Sequence, residues 1–245
     1  MRSYGIIGYP LDHSFSQQYF TEKFRQTGLK DHRYQNFPIP SIELLKDFIA
    51  GQPDLQGLNI TIPYKKRVMP FLTDRSNIPH GLNACNCIRI IGDRIIGYNT
   101  DVVGFERSLL PGWKNEEVRA LVLGNGGAAE AVKFVLDKLN ICFQIVGRKK
   151  SDTCHLTYAE LEKKIISAHR LIINTTPVGT FPLILDYPEI PYEFLTNKHL
   201  LFDLVYNPAK TMFLQKGEDQ GAAIQNGYEM LEQQAEESWT IWNSD

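Results

Sequence analysis

Apolar residues return along this chain at two alternating spacings, and the alternation predicts an α/β protein. Ile6-Ile7 runs into Gly8-Tyr9-Pro10, and Phe15, Tyr19, Phe20 and Phe24 then recur at three-to-four-residue spacing until Gly28 stops the pattern. That reads as strand, turn and helix. Residues 34–39 form a second extended run, and Ile42, Leu45 and Ile49 mark a helix ending near Gly51. In Leu58-Asn59-Ile60-Thr61-Ile62 the aliphatic residues point to one face of a strand while Asn59 and Thr61 share the other.

From Val118 the pattern sharpens. Val118 to Leu123 is a strand, and Gly124-Asn125-Gly126-Gly127-Ala128 opens a helix whose Ala128, Ala131, Val132, Val135, Leu136 and Leu139 make one stripe. Cys142 to Val146 is the next strand. Thr157 and Glu160 suit a capping box for a helix through about Ser167, and Leu171 to Asn174 and Leu200 to Val205 are further strands. Strands alternating with helices imply parallel sheets. Tyr228 to Trp242 is helical again, with Met230, Leu231, Ala235 and Trp239 needing a surface to pack on.

Composition narrows the class without changing this picture. A length of 245 residues suits one large domain or two small ones, and 43% hydrophobic residues suffice for a core. Lys and Arg number 26 against 28 Asp and Glu, a formal charge of −2 that leaves no electrostatic footprint for nucleic acid or an anionic membrane. No stretch approaches the roughly 18 apolar residues of a membrane span, and Met1-Arg2-Ser3-Tyr4 opens no signal peptide, so a cytoplasmic chain is expected. Cys85, Cys87, Cys142 and Cys154 make no disulfide framework. Cys85 and Cys87 near His80 lack zinc spacing and a second ligand pair, so they read as buried thiols and no metal is expected.

The glycine-rich turn after the Val118 strand carries the first chemistry. Gly124, Gly126 and Gly127 let backbone approach a pyrophosphate and aim free helix N–H groups at its charge. The spacing departs from Gly-x-Gly-x-x-Gly, with Ala129 at the third position, a substitution the fingerprint allows. A plain tight turn is the competing reading. No acidic residue closes the next strand to take a ribose hydroxyl. Gly147-Arg148-Lys149-Lys150 stands there instead, suited to a 2′-phosphate, so the turn should prefer NADP.

Local rules leave the polar residues of the first half open. Pro63 suits the first position of a helix, which would place Lys65, Lys66 and Arg67 in a first turn where positive charge costs about half a kcal/mol each. That unfavourable placement suggests a task, although a solvated surface lysine fits too. Asp101 precedes the helical pattern of Val102, Phe105 and Leu109 and reads equally as an N-cap. Ser14 and Ser16 flank Phe15, where hydroxyls cap a helix or hold a ligand carboxylate.

Taken together, six stretches resemble the shikimate dehydrogenase family. They are Gly8-Tyr9-Pro10-Leu11-Asp12-His13-Ser14-Phe15-Ser16, Asn59-Ile60-Thr61-Ile62-Pro63-Tyr64-Lys65, Asn83-Ala84-Cys85-Asn86, Gly97-Tyr98-Asn99-Thr100-Asp101, Gly124-Asn125-Gly126-Gly127-Ala128 and Asp203-Leu204-Val205-Tyr206-Asn207-Pro208. The resemblance implies an α/β substrate domain over 1–102, a Rossmann-like NADP domain over 103–227, and a C-terminal helix, 228–245, returning to the first domain. It implies NADP-dependent, reversible reduction of 3-dehydroshikimate to shikimate in chorismate and aromatic amino-acid biosynthesis, by a monomer or homodimer. Lys65 and Asp101 would be the catalytic pair. Ser14, Ser16, Asn59, Thr61, Asn86, Tyr206 and Gln234 would hold the substrate. The cofactor would take Gly124, Asn125, Gly126, Gly127, Ala128, Gly147, Arg148, Lys149, Leu204 and Gly227.

The chain also departs from the pattern. Between Arg148 and Thr157 no room remains for the helix that usually follows the phosphate-reading turn. Gly147 stands for a usual Asn, Cys87 for a Thr, and Glu229 for a Gly. Two rival readings follow: a broader quinate/shikimate dehydrogenase, since a pocket that does not pair an added hydroxyl rejects it weakly, and a non-catalytic dinucleotide or metabolite sensor.

Overall fold

A computed structural model describes residues 1–11, 14–109 and 118–244. Asp12 and His13 of the first motif, residues 110–117 of the expected NADP domain and residue 245 of the expected C-terminal helix lie outside the described residues. The chain divides into two compact units, Met1–Thr100 with Gln234–Asp245, and Asp101–Gln233.

The first unit is built on a five-stranded sheet. Strands β1 (Arg2–Gly8), β2 (His32–Pro38) and β3 (Leu55–Ile60) are parallel, with α1 (Phe15–Gln26) and the short α2 (Leu45–Ala50) in the connections. Two further strands, β4 (Cys87–Ile91) and β5 (Arg94–Tyr98), run antiparallel and complete the order β2-β1-β3-β4-β5. The sheet is therefore mixed, where the alternation of elements implied a parallel one. The reason is local: Gly92 at φ +57 and Asp93 form a two-residue turn that returns the chain at once. Tyr4, Phe20, Phe24, Tyr34 and Trp242 gather into the aromatic part of the core. Each such side chain, taken from water, contributes roughly 1.5–3 kcal/mol before entropy is set against it.

The helix expected from Pro63 is absent; residues 65–68 form a turn instead. The Val68 amide reaches the Tyr64 carbonyl, but the Lys65 carbonyl is taken by the Cys85 amide at 2.8 Å, and Pro70 has no N–H for the Lys66 carbonyl. Lys65 therefore stands in no helical first turn, and its charge opposes no helix dipole there.

The second unit is a six-stranded, wholly parallel sheet. Its strands β6 (Arg119–Leu123), β7 (Cys142–Gly147), β8 (Leu156–Thr157), β9 (Leu171–Asn174), β10 (Leu200–Asp203) and β11 (Ala223–Gln225) lie in the order β11-β10-β9-β6-β7-β8. Read from β8, that is the doubly wound dinucleotide-binding order, which reverses between β6 and β9. Residues Ala120–Leu123 and Leu171–Ile173 are buried without interruption, as strands covered on both faces require.

Helices α3 (Thr100–Leu109), α4 (Gly127–Lys138), α5 (Lys163–Ala168) and α6 (Met212–Asp219) flank the strands, and α7 (Tyr228–Asn243) closes the chain. Asp101 lies inside the first turn of α3 rather than before it, so the N-cap reading fails. The Thr157 amide does donate to Glu160, at 2.8 Å, but the box opens only a single 3-10 turn, Tyr158–Glu160. Leu161, with ψ 86, breaks it before α5, so the helix expected through Ser167 comes in two pieces.

Candidate active site

The order reversal between β6 and β9 opens a groove of about 1120 Å³ in the second unit. Ligands of such sheets bind outside the carboxyl ends of the strands at this point. Gly124, leaving β6 at φ +99, sits where a Cβ would come within 2.7 Å of Thr176 Cγ2. Only glycine accepts both that backbone and that approach. Gly126 is the N-cap of α4 and brings no side chain to the helix's free amides, and a Cβ there would meet nothing within 4 Å. An open space thus faces the positive end of a twelve-residue helix, the arrangement that receives a phosphate.

At the end of β7, Gly147, Arg148 and Lys149 line the same groove. Arg148 and Lys149 are exposed, whereas Lys150 is held by Glu160 at 2.5 Å. Its ammonium, with the Thr157 amide and hydroxyl, holds the Glu160 carboxyl down to about 2. The abbreviated return from Arg148 to Thr157 contains no helix; a bridge between Ser151 and Cys154 closes it instead. It folds back on the glycine turn: Asn125 Nδ2 donates to Thr153 Oγ1 at 2.8 Å, and Cys154 occupies the space a side chain at Gly147 would need.

Gly127 and Ala128 begin α4 beside the groove without lining it, and Leu204 and Gly227 meet each other, a Cβ on Gly227 striking the Leu204 carbonyl. Sequence reasoning missed the opposite wall, Thr175, Thr176, Pro177 and Val178. The signal was available, since these residues leave β9 at its carboxyl end. They are set by Asn174, whose Oδ1 accepts from the Thr176 amide and hydroxyl at 3.0 and 2.6 Å. Asn174 Nδ2 in turn donates at 2.9 Å to Asp203, a fully buried carboxylate that also accepts from Thr211 Oγ1 at 2.6 Å and the Val205 amide at 3.0 Å. Burial outweighs those donors and pushes the Asp203 carboxyl up to about 6. Tyr206 follows three residues later, half-buried.

In the first unit the expected substrate residues cluster at the carboxyl ends of β1 and β3. Ser14 precedes α1 with extended backbone, and its hydroxyl makes no cap bond. Ser16 is buried and hydrogen-bonded to the Tyr34 phenol, which donates to Asn59 Oδ1 at 2.8 Å. Asn59 Nδ2 donates to Ser238 Oγ at 2.9 Å. The Thr61 amide donates to the Ile7 carbonyl at 2.9 Å, and its methyl lies where Gly8 lacks a side chain. Asn86 Oδ1 accepts from the Thr100 amide at 2.6 Å and its Nδ2 donates to Thr100 Oγ1 at 3.0 Å. Asn86 therefore fixes the residue that precedes Asp101, itself 5% exposed. Gln234 Oε1 accepts from Thr100 Oγ1 at 3.4 Å.

Lys65 is half-buried, following Tyr64, whose buried phenol donates to the Ile39 carbonyl at 2.6 Å. Its own carbonyl is anchored by Cys85, as described. Cys85 and Cys87 are wholly buried, Cys85 Sγ lying 3.2 Å from the Cys87 carbonyl, and burial pushes the Cys87 thiol up. Among the described residues, no group of three or more His, Cys, Asp or Glu could hold a metal ion, and no helix is long and apolar enough to cross a membrane.

Comparison with known proteins places this geometry. Residues 6–88 match the family model of the shikimate dehydrogenase substrate binding domain. A Shikimate dehydrogenase (NADP(+)) of Staphylococcus aureus (strain MSSA476) is 33% identical over 250 residues, covering 98% of this chain and 92% of that protein. The crystal structure of Shikimate Dehydrogenase 1 from Peptoclostridium difficile superposes with a TM-score of 0.86 at 33% identity, over 99% of this chain and 91% of that one. Shikimate 5-dehydrogenase from Thermus thermophilus, solved in complex with NADP(H) and shikimate, superposes with a TM-score of 0.86 at 26% identity, over 99% and 94%. With a Rossmann order, a glycine turn and this full-length kinship, the chain belongs to the shikimate dehydrogenase family.

Proposed function

We propose that this chain catalyses the reversible, NADP-dependent reduction of 3-dehydroshikimate to shikimate. The observation that carries the reading is kinship over 98% of the chain with a relative named for that activity. The groove of the second unit fits the dinucleotide: Gly124, Asn125, Gly126, Gly127 and Ala128 would receive its pyrophosphate at the start of α4, and Arg148 and Lys149 beyond Gly147 its 2′-phosphate. Leu204 and Gly227, packed on each other where β10 exits and α7 begins, would take the nicotinamide end of the cofactor. When bound, the nicotinamide supplies or takes the hydride.

Ser14, Ser16, Thr61, Asn86, Tyr206 and Gln234 hold the ring acid, with Asn59 behind them. Lys65 gives a proton to the oxygen of the reduced ketone and takes it back in the reverse direction, and Asp101 orients the hydroxyl. Shikimate and 3-dehydroshikimate are the small-molecule partners. The four free thiols, Cys85, Cys87, Cys142 and Cys154, suit a reducing cytoplasm, where the chain acts as a monomer or homodimer. The test follows NADPH formation from shikimate and NADP, with NAD and quinate as controls. Turnover strongest with the first pair is expected; no turnover of shikimate overturns the reading, and equal rates with quinate replace it with a broader specificity.

A further inference from the structure

The C-terminal half of α7 is seated on β3 by two contacts of matching pitch. Trp242 lies over Gly57, where any Cβ would strike its indole, and its Nε1 donates to the Ile88 carbonyl at 2.9 Å. Ser238, one helical turn back, accepts from Asn59, two residues on along β3, at 2.9 Å. Two strand residues advance about 6.6 Å and four helix residues about 6 Å, so the spacings run nearly in step. The next pair in the series is Thr61 with Gln234. The extended backbone persists to that point, because the Thr61 amide is still bonded to Ile7.

Three features make Ser238 the junction. It is completely buried, its hydroxyl donates to the Gln234 carbonyl at 2.9 Å, and it lies 3.2 Å from Thr100 Oγ1, which reaches the Gln234 side chain. Both ends of the Asn59 amide are engaged within the fold: Oδ1 accepts from Tyr34, and Nδ2 donates to Ser238 and, at 3.4 Å, to the Asn86 carbonyl. It transmits position rather than offering a free group.

We propose that Ser238 is a positioning residue for substrate recognition, fixing α7 in register on β3 so that Gln234 stands opposite Thr61. This rests on the function proposed above. The test is a double-mutant cycle of Ser238→Ala and Gln234→Ala, read as kcat/KM for shikimate. Ser238→Ala should lose about tenfold, carried by KM for shikimate, with KM for NADP unchanged. In the Gln234→Ala background the same change should add less than about twofold, because additivity is the behaviour of sites that do not share a partner. Losses that multiply in full, or a KM for NADP that rises alongside, overturn the proposal while the parent's activity keeps the function intact. A parent that does not oxidise shikimate overturns both. Should Ser238→Ala fail to fold, Trp242→Phe, which keeps an aromatic ring but removes the bond to Ile88, enters the same cycle with the same expected coupling.

Discussion

Under the proposed function, the two units would present their ligand-binding groups in opposite ways. In the second, the backbone does the presenting: glycines at the carboxyl end of β6 clear a space before free amides, and the flanking strands are continuous apolar runs. In the first, polar side chains do it, and they are held from beneath by a buried chain running Ser16, Tyr34, Asn59, Ser238, Thr100 and Asn86. The lesson is that a backbone site is broken by adding atoms, whereas a side-chain site is broken by removing them.

Substitutions press on that contrast with decreasing force. Lys65→Ala, which deletes a side chain from the first unit, should lower kcat on the order of 10²–10⁴-fold while NADP binding, measured directly, stays at the parent value. Loss of NADP binding as well would erase the distinction between units.

Asp203→Asn probes the buried carboxylate that, through Asn174, sets the wall facing the glycine turn. Because its folded value, about 6, lies above the ordinary 3.8, its contribution to stability is fully present below pH 3.8 and lost as pH rises through about 6. Denaturation from pH 4 to 7 should show the parent losing about 2 kcal/mol relative to the variant across that window. A gap independent of pH would mean that the carboxylate is better solvated than its burial implies.

Arg148→Ala should cost NADP about 10–100-fold in kcat/KM and NAD little, since only the former offers a 2′-phosphate to a charged donor. Smallest is Gly147→Ala, where the new methyl meets Cys154 Sγ and should cost about 1–2 kcal/mol in a denaturation midpoint. Adding Cys154→Ala should recover most of it; no recovery would locate the strain elsewhere.

Legibility in the sequence followed the same division. The glycine turn and the basic strand end could be read because their chemistry is local and positional, and the structure brings both to one groove. The hairpin β4–β5 carries its own signal, Gly92-Asp93 between two apolar runs, but the strand-helix alternation on either side masks the antiparallel return. Lys65 was given a helix that Pro70 and Cys85 prevent, a tertiary effect no window of residues contains. Tyr34 and Ser238 were invisible for another reason. A tyrosine in a strand and a serine in an amphipathic helix look ordinary until β3 and α7 meet, and that meeting joins residues 179 positions apart.

The first unit is discontinuous, made from residues 1–100 and 234–245, while the second is one uninterrupted run. A ribosome therefore delivers everything the second unit needs before the first can be finished. Until residue 242 emerges, Gly57 has no indole to cover it. Nascent chains that have emerged from the ribosome only as far as residue 233 should accordingly carry an ordered second unit and an N-terminal sheet that chaperones still recognise as unfinished.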